Sequence, residues 1–161
     1  MPATETIRNK AQLKAMADYY LKQGKFRNSL LIVMGTHTAL RISDLLRLQW
    51  EDVYDEMHGT FRLHVSITEK KTGKTKTIAL NRQIIKALRL YFSYRRSAFL
   101  FANNRKGGHA IGRVQAWRIV REAAEAVGVQ GKISCHSLRK TFGYQAWKSQ
   151  AVVPCGADGD L

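Results

Sequence analysis

The chain is poor in the residues that staple or interrupt a fold. Of its 161 residues, two are cysteine and two are proline. Two cysteines, Cys135 and Cys155, make no disulfide framework, so a reducing compartment is expected and the cytoplasm fits. The five histidines and two cysteines show no metal-ligand spacing, and neither a metal nor a cofactor is expected. No apolar run approaches the roughly 20 residues needed to cross a bilayer. Residues 30–34 form the longest conspicuous one. The first residues, Met1-Pro2-Ala3-Thr4-Glu5, lack the basic start and apolar stretch of a secretory leader. A membrane partner is therefore not expected. The last shortage is of acid: 12 Asp and Glu face 27 Lys and Arg, a formal charge of +15. That excess points to a polyanionic partner, with nucleic acid first.

What is present suits a single domain with a real core. Asn9-Lys10-Ala11-Gln12 has the form of a relaxed capping box. Leu13, Met16, Ala17, Tyr20 and Leu21 then trace an apolar helix face that Gly24 stops. A buried helix is expected over 26–34, broken by Gly35-Thr36-His37-Thr38-Ala39. Ser43 then caps a short helix carrying Leu45, Leu46 and Leu48. From Phe61 the period changes: Phe61, Leu63, Val65 and Ile67 alternate with polar residues, as in a half-buried strand. Residues 69–74 form a polar turn and 75–80 return. Asn81 caps a helix with Ile84, Leu88, Tyr91 and Phe92 inward. After a loop at 103–108, Val114, Trp117, Val120, Ala124 and Val127 mark another helix, ending near Gly128. The expected class is α+β, mainly helical, with a small antiparallel hairpin. The aromatics fall at core spacings, so base-stacking platforms are not expected.

Three stretches carry chemistry. Ser134-Cys135-His136-Ser137-Leu138-Arg139-Lys140-Thr141-Phe142 reads as the capped opening of an amphipathic helix, with His136 and Arg139 one turn apart on one face. An arginine grips phosphate through a planar fork, and a histidine beside it moves a proton near neutral pH. Thr38-Ala39-Leu40-Arg41-Ile42-Ser43-Asp44-Leu45-Leu46 sets Arg41 just before a helix, where an ion pair with Asp44 is the plain alternative. The turn carries Lys70, Lys71, Lys74 and Lys76, which serve either an anion or the protection of a sheet edge.

In this order and local setting the three stretches resemble the catalytic domain of the tyrosine recombinases, the phage-integrase family. T-A-L-R-I-S-D-L-L looks like the family's first arginine box, K-T-G in a hairpin like its lysine motif, and H-S-L-R like the second box. The resemblance covers roughly residues 9–148 and implies site-specific DNA recombination through a phosphotyrosine linkage. It implies that Arg41 and Arg139 clamp the scissile phosphate, that Lys71 (with Lys70 as runner-up) protonates the leaving 5′ oxygen, and that His136 assists.

The chain departs from the family pattern in two places. Ala39 stands where the family usually has glycine. No His or Trp motif and no nucleophilic tyrosine follow the second box, and Tyr144 comes too early to match. A truncated or frameshifted catalytic domain over 1–148, followed by an atypical, disordered tail over 149–161, is the resulting expectation. DNA binding with impaired cleavage follows from it. The alternatives are a non-catalytic DNA-binding remnant, a tyrosine supplied in trans, or a type IB topoisomerase-like fragment. Lys70, Lys74, Lys76, Arg82, Arg105, Lys106, Arg113 and Lys140 are the expected DNA contacts. The family's tetramer makes self-association a possible partner reading, with a monomer or a dimer expected for this fragment.

Overall fold

The fold is arranged around α2, Phe26–His37, whose Leu30, Leu31, Ile32 and Met34 are each at most 1% exposed. A helix apolar on every side is stable only when covered on every side. The computed structural model describes residues 7, 9–105 and 107–152, with side chains as far as Gly143. In it α1 (Lys10–Lys22), α5 (Arg82–Phe92) and α7 (Cys135–Val152) supply that cover. α6 (Arg113–Ala126) lies against α1 and α7. Between α2 and α5 the chain makes α3 (Ile42–Leu46), α4 (Trp50–Val53) and two small antiparallel sheets. One pairs β1 (Tyr54–Asp55) with β2 (Thr60–Phe61), and the other pairs β3 (His64–Thr68) with β4 (Thr75–Ala79). The α+β class, mainly helical with a small hairpin, is the one observed.

Two of the expected caps form as read. Asn9 Oδ1 accepts from the N–H of Ala11 at 2.8 Å and of Gln12 at 3.4 Å. Asn81 Oδ1 accepts from Ile84 N–H at 3.0 Å. Ser134 behaves otherwise. Its hydroxyl is buried without a partner among the described residues, and Ser137 Oγ instead reaches back to accept from Ser134 N–H at 3.0 Å. The helix starts where expected, but it is capped from inside.

Several boundaries differ from the sequence reading, each for a tertiary reason. α2 does not break at Gly35; it runs on to His37 because α7 crosses it there. A Cβ on Gly35 would overlap Leu138, so the residue that reads as a breaker is the one that lets two helices touch. The Thr36 and Thr38 hydroxyls donate to the carbonyls of Ile32 (2.9 Å) and Met34 (2.7 Å) in its last turns. Ser43 lies inside α3, whose N-cap is Arg41.

The strand expected from Phe61 to Thr68 is split. Phe61 pairs with Tyr54 and joins the rings of Tyr54 and Phe92 at 5.1 and 5.5 Å, which leaves Leu63 at 66% exposure. In α6, Val114 and Trp117 face solvent at 62% and 38% exposure, while Ala116, Ile119, Val120, Ala123 and Ala124 face the core. Both stripes have helical period; the smaller residues are chosen because α1 lies close, its Tyr20 hydroxyl donating to Ile119 O at 2.5 Å. Helix α7 runs through Val152. Lys106, the Tyr144 side chain and the tail from 153 onward lie outside the described residues. Among the described residues no helix is long and apolar enough to cross a membrane.

The α2–α7 crossing is directly testable. Gly35→Ala places a methyl in the space Leu138 occupies and should cost about 1–3 kcal/mol by overpacking, despite alanine's better helix propensity. In urea unfolding, Gly35→Ala combined with Leu138→Ala should cost less than the sum of the two single changes. Strict additivity would show that the two sites do not touch.

Candidate phosphate-binding site

Arg41 caps α3 in an extended conformation, φ −69° and ψ 151°, and its NH1 donates to Glu69 Oε2 at 2.7 Å. The alternative pairing with Asp44 is not the one formed. Asp44 is turned inward at 2% exposure, and its Oδ1 accepts from Lys70 N–H at 3.2 Å and Arg47 NH1 at 3.3 Å. One carboxylate thus ties the first turn of α3 to the start of the hairpin loop.

Arg139 arrives from α7. Its Nε donates to the Ala39 carbonyl at 3.0 Å. Lys76 arrives from β4, with Nζ 3.5 Å from the same carbonyl oxygen and 3.7 Å from Glu69 Oε2. Three cations from three elements therefore meet around one carbonyl and one carboxylate. Among the described residues only Nε of Arg139 is engaged, which leaves its NH1–NH2 edge for an anion. Like-charged groups held this close favour an anion beside them, and Glu69 supplies one negative charge to Arg41 and Lys76.

His136 stands exposed one turn before Arg139, with no partner among the described residues. Lys70, Lys71 and Lys74 are exposed around the hairpin tip. The tip is closed by Glu69 N–H to Lys74 O and Gly73 N–H to Glu69 O, both 2.8 Å. Gly73 takes φ +71°, which glycine adopts without strain. Lys71 lies two residues from Glu69, and its side chain touches no partner among the described residues. Lys76, read from sequence as a DNA contact, is the hairpin lysine that the fold places between the two arginines.

Arg105, Arg113 and Lys140 are exposed on their loop and helices. Arg82 is not brought to this cluster. It lines a groove with Leu63 and Leu80 at the other end of the hairpin, about 15 Å from the tip at 3.3 Å per strand residue.

Sequence reasoning missed Glu69 and the Ala39 carbonyl, and saw Asp44 only as a possible ion-pair partner. Glu69 had a signal, as the one acid beside a run of lysines; a backbone acceptor has none. Two other groups can be set aside. Burial pushes the Cys135 thiol up to about 11 against the opposing charge of Arg113, so it stays a thiol and not a nucleophile. Among the described side chains the tyrosines make contacts elsewhere in the fold, through the hydroxyl for Tyr19 and Tyr20 and through the ring for the others. Tyr19 and Tyr20 bond to α6, Tyr54 and Tyr91 lie against Phe92 and Trp50, and Tyr94 stacks on Phe26.

Asp44→Ala should remove the tie between α3 and the loop. The expected cost is about 1.5–3 kcal/mol, the usual worth of hydrogen bonding to a charged group. Amide exchange at Lys70 should speed up more than at Ile67 in the strand interior; equal protection at the two amides would show that the tie does not hold the loop.

Comparisons with known proteins place the chain in a family. Residues 7–153 match the model of the phage integrase family. The probable integrase/recombinase YoeC of Bacillus subtilis is 35% identical over 149 residues, spanning 92% of this chain and 77% of that protein. Tyrosine recombinase XerA of Pyrococcus furiosus is 27% identical over 125 residues, 76% of this chain but only 41% of the relative. Lambda integrase residues 75–356, solved bound to DNA, superposes with a TM-score of 0.70 over 93% of this chain and 53% of that one, at 16% identity, a likeness of fold. The order of boxes, the convergence of their side chains and the family match lead to one conclusion: this chain belongs to the phage integrase family of tyrosine recombinases.

Proposed function

We propose that this chain binds DNA and holds one phosphodiester between Arg41 and Arg139, as the phosphate-gripping part of a site-specific recombination reaction. The observation that carries this is the meeting of Arg41, Lys76 and Arg139 around Ala39 O and Glu69. The +15 charge supports a polyanionic ligand, and the lambda integrase neighbour was solved bound to DNA.

The chemistry follows from the charges. As phosphoryl transfer proceeds, negative charge builds on the non-bridging oxygens. Fixed guanidinium groups stabilise it without reorganising. The phosphate takes over the Arg41 NH1 donor that Glu69 now holds, so the carboxylate gives way as DNA enters. Lys71, or Lys70 beside it, donates the proton to the leaving 5′ oxygen once the loop orders on DNA. His136, on the same face of α7 as Arg139, assists that transfer. The attacking hydroxyl is supplied in trans, by a Tyr-containing recombinase partner bound at an adjacent half-site.

The engagement of all five described tyrosines favours a second reading, in which this chain binds DNA without cleaving it alone. A half-site suicide duplex separates the two. An Arg139-dependent covalent adduct, falling about 10²–10³-fold in Arg139→Ala, establishes cleavage. DNA binding without adduct establishes the second reading.

Binding itself is followed by anisotropy against salt. Arg41→Ala and Arg139→Ala should each weaken duplex binding and flatten the log–log salt slope by about 0.9. Glu69→Gln should tighten binding several-fold by removing the competing charge. Arginine variants that keep the wild-type affinity and slope would reject the proposal.

A further inference from the structure

The N-terminal end of α2 opens on a cavity of about 680 Å³ between α1, α5, α6 and the chain near Ala102. It is a different place from the Arg41 cluster, since the twelve residues of α2 separate them by about 18 Å at 1.5 Å per residue. Four cations line it, Lys25, Arg27, Arg96 and Arg118, against one carboxylate, Glu122. That carboxylate already accepts from the Tyr19 hydroxyl at 3.1 Å. Among the described residues none of the four cations has an ion-pair partner.

Arg27 is the most telling of them. Its NH1 donates to Ala102 O at 2.7 Å, and Nε and NH2 both donate to Asn28 Oδ1, at 3.0 and 2.9 Å. Those acceptors are neutral, and a guanidinium has five N–H donors, so two remain. Burial lowers the Arg27 pKa and the like charge of Arg96 adds to the lowering, while Tyr91 and Tyr20 in the cavity wall oppose it. A half-buried cation facing a second cation is short of an anion. The helix end supplies further attraction. Its N-cap, Lys25, makes no side-chain cap bond, and no acidic residue stands in its first turn. The first N–H groups of α2 therefore present their positive end to the same cavity.

We propose that this cavity is a second phosphate-binding site, taking a phosphate group either from the DNA backbone away from the scissile position or from a free polyphosphate. The DNA source rests on the function proposed above; the free source does not. Arg27 and Lys25 hold the phosphate at the end of α2, and Arg96, from the chain after α5, and Arg118, from α6, close over it.

The test uses the Arg96→Gln, Arg118→Gln double variant, which leaves the half-buried Arg27 in place. Two probes are applied to it and to the wild type: a duplex followed by anisotropy across a salt series, and pyrophosphate followed by thermal unfolding. If the phosphate is DNA's, the variant loses about 0.9 or more from its salt slope and roughly tenfold in affinity at 0.15 M salt, while pyrophosphate leaves both proteins unchanged. If it is free, millimolar pyrophosphate raises the unfolding midpoint of the wild type but not of the variant, and the salt slope stays. A variant with the wild-type slope, together with a wild type indifferent to pyrophosphate, overturns the site. A wild type that responds to pyrophosphate but binds no duplex rejects the recombinase function and keeps the cavity.

Discussion

A single backbone oxygen, that of Ala39, holds the putting-together of this site. A peptide carbonyl has two lone pairs, and here they receive Arg139 from α7 and Lys76 from the hairpin. The oxygen is available because the chain leaves α2 abruptly at Thr38, which turns to φ −134° and ψ 160°. An extended residue after a helix turns the next carbonyl away from the helix ladder and towards whatever lies beside it. Residues 37 and 100 positions apart in sequence from Ala39 are thereby brought to one point. A side chain could not have done this as firmly, since it would have rotamers to lose.

That meeting depends in turn on how near α7 comes to α2. Gly35 sets the separation, because no other residue leaves room for Leu138. Thr141 adds a second fastening one turn further on, its hydroxyl donating to Ser137 O at 2.7 Å and accepting from Ile7 N–H at 3.1 Å. Arg139 lies between these two anchored positions, so its backbone is fixed before its side chain makes any contact. The core of α2, the glycine gap and the guanidinium form one line of dependence from packing to chemistry.

Much of this was legible in the sequence, and the parts that were not share a cause. Period and caps located α1, α5 and the hairpin because Asn9, Asn81 and the alternation of Val65 and Ile67 act locally. The two arginines were legible because their boxes are short and contiguous. Gly35 was misread because glycine inside a helix is unfavourable in isolation, and only a crossing helix explains it. Trp117 and Val114 were misread because two stripes of equal period compete, and the tighter neighbour takes the smaller residues. Phe61 went to a different strand because three aromatic rings outbid the local alternation. Glu69 was passed over as turn chemistry because its partners, Arg41 and Lys76, are fixed only by the tertiary fold.

The hairpin loop has one further consequence. Asp44 fastens the backbone at Lys70, but beyond that residue nothing among the described residues restrains the Lys71 side chain. Free in solution, an unrestrained lysine visits its rotamers on the picosecond-to-nanosecond scale. Freezing it costs up to about 2 kcal/mol. That cost is met when a ligand docks rather than during folding, so a ligand that fails to reach the loop leaves the ammonium wandering. Fit at the loop is thereby checked when a ligand arrives, by the mobility of one methylene chain.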